Sequence, residues 1–387
     1  MLDSPRGHPV EDAYRRLARK LDELPHGFPR TDSGVELRIL AKIFSPEDAT
    51  FALRLRPLPE SPTAIARRVH LPVDEVRARL DGMVARGQIA ALKMHGEKVY
   101  SLVPFVVGIW EFQLARMDAE LATLFEEYAP KLLTTLGGSK PGLARVVPVN
   151  ARIDARAEVL RYSNLRAMLQ KAQSFRVMDC LCRTEAAALG RPCRHPIETC
   201  FAFSPELDAY DDTLPPGFGR SIGRDEALAI LDACEQEGLV HCTYNLARNQ
   251  MFVCNCCSCC CGFLRGLNEF GAPHLLVRSD WVAAIDAGLC ASCGECADRC
   301  PTQAISFDDK VTALQVEPER CIGCGVCTVS CPGAGITMRE RPESERTIPP
   351  QNLVSWAWQR SVNRAGTLRS VLRFVPLALG LGNWRKA

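Results

Sequence analysis

The chain has 387 residues, 47% of them hydrophobic and 24% charged, with a formal net charge of +2. This is an ordinary globular composition with ample apolar material for a core, and its near balance of charge declares no polyanionic partner. The 20 cysteines could form a disulfide framework only in a secreted protein. Residues 1–6 show no basic n-region followed by an apolar run, so the expectation is metal chemistry in a reducing, cytoplasmic compartment. Length suggests two to three domains of about 150 residues each. No apolar run reaches the ~18 residues of a membrane span; Phe374 to Leu381 comes nearest and is too short.

Leu17, Leu21 and Leu24 recur at helical spacing among charges, predicting an amphipathic helix over 11–24 that ends at His26-Gly27-Phe28-Pro29. Residues 34–56 read as two helices with a break at Ser45-Pro46. Ser61-Pro62 is a helix start signal, with Ser as N-cap and Pro in the first turn. A short helix to His70 follows, then a turn at Leu71-Pro72. The next helix runs from Val73 to Arg86, with Val76, Leu80, Met83 and Val84 on one face, and Gly87 ends it. Ile89 to Leu92 and Lys98 to Leu102 form a hairpin around His95-Gly96. Helix, turn, helix, hairpin is the order of a winged-helix module.

That order invites a DNA-binding reading. Residues 61–98 carry seven basic and four acidic side chains, yet the helix that would enter a groove begins with Asp74 and Glu75. Carboxylates facing phosphates suit a DNA reader poorly. A structural or docking role is preferred, since fold does not fix function. Residues 105–130 read as a long helix, with Ile109, Phe112, Met117, Leu121, Leu124 and Phe125 apolar. Gly137-Gly138-Ser139-Lys140-Pro141-Gly142 reads as a linker and lacks the spacing of a phosphate loop.

Beyond it, Arg145 to Asn150 reads as a strand, Tyr162 to Ala172 as a helix and Phe175 to Met178 as a strand delivering Cys180, Cys182 and Arg183. Cys193 and Cys200 follow in a loop with Pro192 and Pro196. A helix over Arg224 to Gln236 and a strand over Leu239 to Cys242 lead to Cys254-Asn255-Cys256-Cys257-Ser258-Cys259-Cys260-Cys261-Gly262, six thiols in eight residues. If extended, Cys254, Cys256 and Cys260 would point opposite to Cys257, Cys259 and Cys261, so the run could feed two metal centres. With Cys180, Cys182, Cys193 and Cys200 there are ten candidate ligands. Two cubanes use eight, leaving two for persulfide or labile roles. One or more further iron–sulfur clusters is the leading reading, with zinc or a thiol/disulfide site as alternatives. The two segments are expected to converge, with Arg183 nearby as a positive charge. Cys234 and Cys242 read as core, His241 as structural, and His195 as a weak ligand candidate.

Cys290, Cys293, Cys296 and Cys300-Pro301 are followed by Cys321, Cys324, Cys327 and Cys331-Pro332. This is the C-x2-C-x2-C-x3-C-P run stated twice, in which the fourth cysteine of each copy serves the other cluster. The spacing assigns Cys290, Cys293, Cys296 and Cys331 to one 4Fe–4S cluster and Cys321, Cys324, Cys327 and Cys300 to the other. Structural zinc would instead want separated C-x2-C pairs. The stretch resembles a bacterial two-cluster ferredoxin domain over about 60 residues, and Gly294, Gly323 and Gly325 suit its tight turns.

Residues 25–30, Cys180-x-Cys182-Arg183 and the Cys254–Cys261 run together resemble a group of iron–sulfur proteins with a ferredoxin-type C-terminal domain. The resemblance covers roughly residues 20–340 and implies fold and cofactor, not substrate. The tail alternates Leu353, Trp356, Trp358, Val362, Leu368, Leu372 and Phe374 with Arg360, Arg364, Arg369 and Arg373. This suits a helix that packs back on the protein or lies peripherally on a membrane surface.

The expected architecture is therefore α+β and multidomain. A helical, winged-helix-like domain spans 1–136, a cysteine-rich α/β domain 143–276, a two-cluster ferredoxin domain 280–340, and a tail with an amphipathic helix 341–387. The expected function is electron transfer through two 4Fe–4S clusters to or from a further cysteine-ligated centre, with redox proteins as partners and no nucleic acid. No acid–base constellation can be named, so an enzymatic role, as an iron–sulfur oxidoreductase or its subunit, stays open. The rival is a winged-helix regulator that senses redox state or iron.

Overall fold

The computed structural model describes residues 9–94, 96–149, 164–308 and 313–378. The expected hairpin tip at His95, strand end at Asn150, helix start at Tyr162 and the last tail residues lie outside them. The fold is mixed α+β and divides into two compact units. One comprises residues 1–135, 208–218 and 357–387; the other comprises 136–207 and 219–356.

The first unit opens with α1 (Pro9–Asp22), α2 (Val35–Ile43), α3 (Pro46–Ala52), α4 (Pro62–Val69) and α5 (Val73–Ala85). Ser45 and Ser61 cap α3 and α4, each accepting from the backbone N–H three residues on, with proline in the first turn. Val76, Leu80, Met83 and Val84 form the buried side of α5. The hairpin follows as β1 (Ala90–Met94) and β2 (Glu97–Ser101), with Lys93 opposite Lys98.

The long helix expected over 105–130 does not form as such. Residues 105–116 take short irregular and 3-10 turns, and α6 runs later, over Ala119–Gly137. Val106 and Val107 are extended, and Glu111 accepts from the Gly108 N–H. The apolar run packs as an aromatic cluster instead. Trp110 stacks on Phe125 with centroids 3.9 Å apart, and Phe105 meets Phe28 at 4.8 Å. Phe28 is thus the core anchor of the Pro-His-Gly-Phe-Pro-Arg segment, and Tyr128 Oη donates to Pro29 O.

The second unit is built on a seven-stranded sheet. Its strands are β3 (Ala144–Val147), β4 (Ser174–Asp179), β5 (Glu198–Ser204), β6 (Arg220–Ile222), β7 (Val240–Tyr244), β8 (Phe252–Cys256) and β9 (Leu276–Val277). Their order is β6-β4-β5-β8-β7-β3-β9, antiparallel except where β3 meets β9. Between them lie α7 (Leu165–Leu169), α8 (Leu181–Ala188), α9 (Arg224–Gln236) and α10 (Gly262–Asn268). One face of the sheet packs Val147, Phe175, Val177 and Phe201 against Leu165, Ala227 and Leu231. The other packs Ala144, Val146, Val240 and Cys242 against Leu264, Ile322 and Val326. The expected linker is not loose. A Cβ on Gly137 would lie 2.4 Å from Ala272 Cβ, and one on Gly142 would lie 2.4 Å from Val277.

The 281–340 segment forms two small two-stranded antiparallel sheets. β10 (Trp281–Ile285) pairs with β13 (Ile336–Glu340), and β11 (Ile305–Asp308) pairs with β12 (Ala313–Val316). The short helices α11 (Glu295–Asp298) and α12 (Val326–Val329) lie between them in sequence.

The tail forms α13 (Leu353–Ala365) and α14 (Thr367–Ala378). Arg360 Nε donates to Pro25 O, and Arg364 donates to Leu24 O and Asp22. α13 therefore packs back on the protein, the simpler of the two expectations. On α14, Leu368 and Leu372 remain exposed. Among the described residues, no helix is long and apolar enough to cross a membrane.

Candidate metal centres

The doubled motif surrounds two hollows. Cys290, Cys293, Cys296 and Cys331 line one, with Leu289, Leu314 and Pro332. Cys300, Cys321, Cys324 and Cys327 line the other, with Ala304, Ile305 and Met338. Each hollow thus takes three thiols from one copy and the fourth from the other. Four thiols set around an apolar hollow, rather than touching one another, suit a polyatomic core better than a single ion. The Ala304 N–H donates to Cys300 Sγ at 3.1 Å, a bond of the kind that tunes a cluster. The hollows differ in access: Cys293 is exposed, whereas Cys321, Cys324 and Cys327 are buried.

The second hollow is braced from several sides. Arg341, buried, donates to Cys321 O, Pro318 O and Trp281 O. Gly323 has φ +70, and a Cβ there would lie 2.2 Å from Ser279 Oγ and 2.3 Å from Trp281 O. Only glycine fits that turn. Val149 N–H bonds Cys324 O, and Arg299 caps the end of α9 through Gln236 O.

In the cysteine-rich sheet, β8 carries Cys254 and Cys256, with Cys254 directly across from Cys242 on β7. Cys200 lies on β5 rather than in the expected loop, and Cys180 sits just before α8. These bring the two cysteine segments together. The Cys180 thiol adjoins those of Cys182 and Cys200, Cys182 adjoins Cys261, Cys261 adjoins Cys256, Cys256 adjoins Cys254, and Cys254 adjoins Cys200. Six thiols close a ring, and Cys242 adjoins it through Cys256.

The remaining four, Cys193, Cys257, Cys259 and Cys260, form a second, tighter group. The run does feed two sides, but not by strict alternation. Extended structure ends at Cys256, the chain turns through 257–260, and Cys261 swings back to the ring as the residue before α10. Cys260 and Cys261 thereby exchange the sides that alternation would give them.

Arg183 stands between the groups, 1% exposed. Its guanidinium donates to Pro196 O, Thr199 Oγ1 and Asn255 O. Burial opposes its charge, but the Cys180, Cys257 and Cys200 sulfurs outweigh burial and hold its pKa above the ordinary value. In return each group has one thiol held low. Hydrogen bonds with Cys182 and Cys200, aided by Arg183, keep Cys180 well below the usual thiol range. The bond with Cys260, aided by Arg183, brings Cys257 down to about 4. The other ring thiols are pushed well above it, Cys182 by its bonds to Cys180 and Cys261.

Asn255, fully buried, donates to Thr199 O and accepts from His241 Nδ1. It ties three strands behind the thiols, which explains an asparagine inside a cysteine run. His195 pairs with Glu237 and joins neither group. Cys234 is buried against Cys257 and Cys260, and Cys242 against Cys256 and Cys324. Both core cysteines therefore touch the sites, and their isolation in sequence hid this.

Residues 283–344 match the family described as the 4Fe-4S dicluster domain. With the grouped thiols, this match marks an iron–sulfur, metal-binding protein. No curated protein and no solved structure matches the chain.

Proposed function

We propose that the protein is an electron-transfer protein in which Cys290, Cys293, Cys296 and Cys331 hold one 4Fe–4S cluster and Cys300, Cys321, Cys324 and Cys327 a second. The six-thiol ring would hold a further iron–sulfur centre. Such clusters, when bound, supply one-electron chemistry; the chain's part is to arrange their ligands in series. One observation carries this reading: Cys324 shares a single buried cluster with Cys242, Cys256 and Cys261. The second hollow and the ring are therefore neighbours, while the first hollow presents Cys293 to solvent. The solvent side suits a redox partner protein and the ring suits the terminal position.

Cys300→Ser tests this. It should damage the cluster of Cys321, Cys324 and Cys327, spare the one beside it in sequence, and slow reduction of the ring centre at least tenfold without removing its iron. Spectroscopic loss of the Cys290 cluster instead, or an unchanged rate of ring reduction, would sink the series.

We read the α4 to β2 segment as a docking element of winged-helix type, not a DNA reader. Four of its seven cations are already matched by acids: Arg68 with Glu60, Arg79 and Arg86 with Asp48, and Lys98 with Asp81. Asp74 and Glu75 stand in the first turn of α5.

A further inference from the structure

Cys193, Cys257, Cys259 and Cys260 differ in kind from the other thiol sets. All four Sγ atoms lie within 4.8 Å of one another. Cys193 is 3.8 Å from Cys257 and 3.6 Å from Cys259, and Cys259 is 3.6 Å from Cys260. A tetrahedral ion with metal–sulfur bonds of about 2.3 Å places its sulfurs about 3.8 Å apart. A cubane puts four irons and four sulfides between its thiolates and spaces them much more widely. Among the described residues this is the only set that closes so tightly. The ferredoxin thiols surround hollows, and the ring thiols meet pairwise, each with its two neighbours in the ring.

We propose that these four cysteines bind one tetrahedral, thiolate-ligated metal ion of the zinc type, separate from the iron–sulfur centres. Three ligands come from a single turn, closed by the Cys261 N–H donating to Cys257 O at 3.1 Å. The fourth comes from the loop after α8. The donor set is all sulfur, and first-row divalent ions bind such sites more tightly toward zinc than toward iron(II). Four thiolates around a divalent ion leave a charge of about −2, and the buried Arg183 beside Cys257 offsets part of it. Zinc has no redox chemistry. The ion therefore takes no part in electron transfer; it fastens the Cys193 loop onto the turn that also positions Cys261 for the ring.

The test is metal counting on the full chain purified without oxygen, with X-ray absorption at the zinc edge. One zinc per chain is expected, with four sulfurs at about 2.3 Å and no neighbouring metal. Cys259→Ser should remove that equivalent and leave iron and inorganic sulfide unchanged. A single sulfide-free iron lost in its place keeps the site and replaces the ion. Loss of iron together with inorganic sulfide, or no metal lost, overturns the proposal. The absorption measurement needs no variant, so it decides the matter even if Cys259→Ser fails to fold: a metal neighbour, or zinc without four sulfurs, is equally fatal.

Discussion

Two buried basic side chains, one charged and one neutral, mark where single residues matter most. Arg183 is hemmed in by three oxygen acceptors and by sulfurs of both thiol groups. Removing one partner of a buried charged network costs about 3–5 kcal/mol. Arg183→Gln should therefore lower the thermal stability of the cysteine-rich unit by that order and drive the ring centre's midpoint potential more negative. An unshifted potential would show that the charge does not act on the ring. His26 is the mirror case. Burial, with Arg360 and Arg364 nearby, holds its pKa well below the ordinary 6.5. The folded state keeps it neutral, so its contribution is complete above pH 6.5 and is lost as pH falls, by up to about 1.4 kcal/mol per pH unit. Protection factors for amide exchange over residues 20–30 should fall between pH 7 and 5.5, and His26→Gln should flatten that response.

At the scale of elements, the turn at 321–327 is the most demanding piece of backbone near a site. Gly323→Ala would meet Ser279 Oγ and Trp281 O in a left-handed conformation. The strain alone is on the order of 1–3 kcal/mol. Selective loss of iron from the Cys300–Cys327 side, with the Cys290 side kept, is the expected result, and equal loss from both would contradict it. Elements with strong local signals were legible in the sequence. Ser45-Pro46 and Ser61-Pro62 start helices where capping chemistry says they should, and α9 spans Arg224–Gln236 as its periodicity and Gly238 indicate. Residues 105–116 were not legible, because an apolar-rich stretch does not distinguish a helix from an aromatic knot assembled by distant partners such as Phe28. The convergence of the two thiol segments could be reasoned from ligand number. The partition of the run could not, since it depends on a turn after Cys256 that six cysteines in eight residues conceal.

At the scale of the whole molecule, charge separates the two rival functions. With four of its seven basic side chains matched by Glu60, Asp48 and Asp81 and two carboxylates opening α5, the helix–hairpin segment offers phosphates little. The full chain should bind duplex DNA without sequence preference and only at low salt. A specific-to-nonspecific ratio of about 1,000 or more, measured by competition at physiological salt, would restore the regulator.

The burial of Ile322, Cys324 and Val326 against Val146, Val240 and Leu264 has a consequence for what kind of carrier this is. A free ferredoxin is a shuttle: it diffuses, docks, discharges and leaves, and it needs a whole surface to do so. Here that surface is spent on one permanent neighbour. The dicluster segment cannot travel, and cut out alone it would expose a greasy flank. On the proposed reading it would serve as soldered wiring, reached from the end where Cys293 meets the solvent.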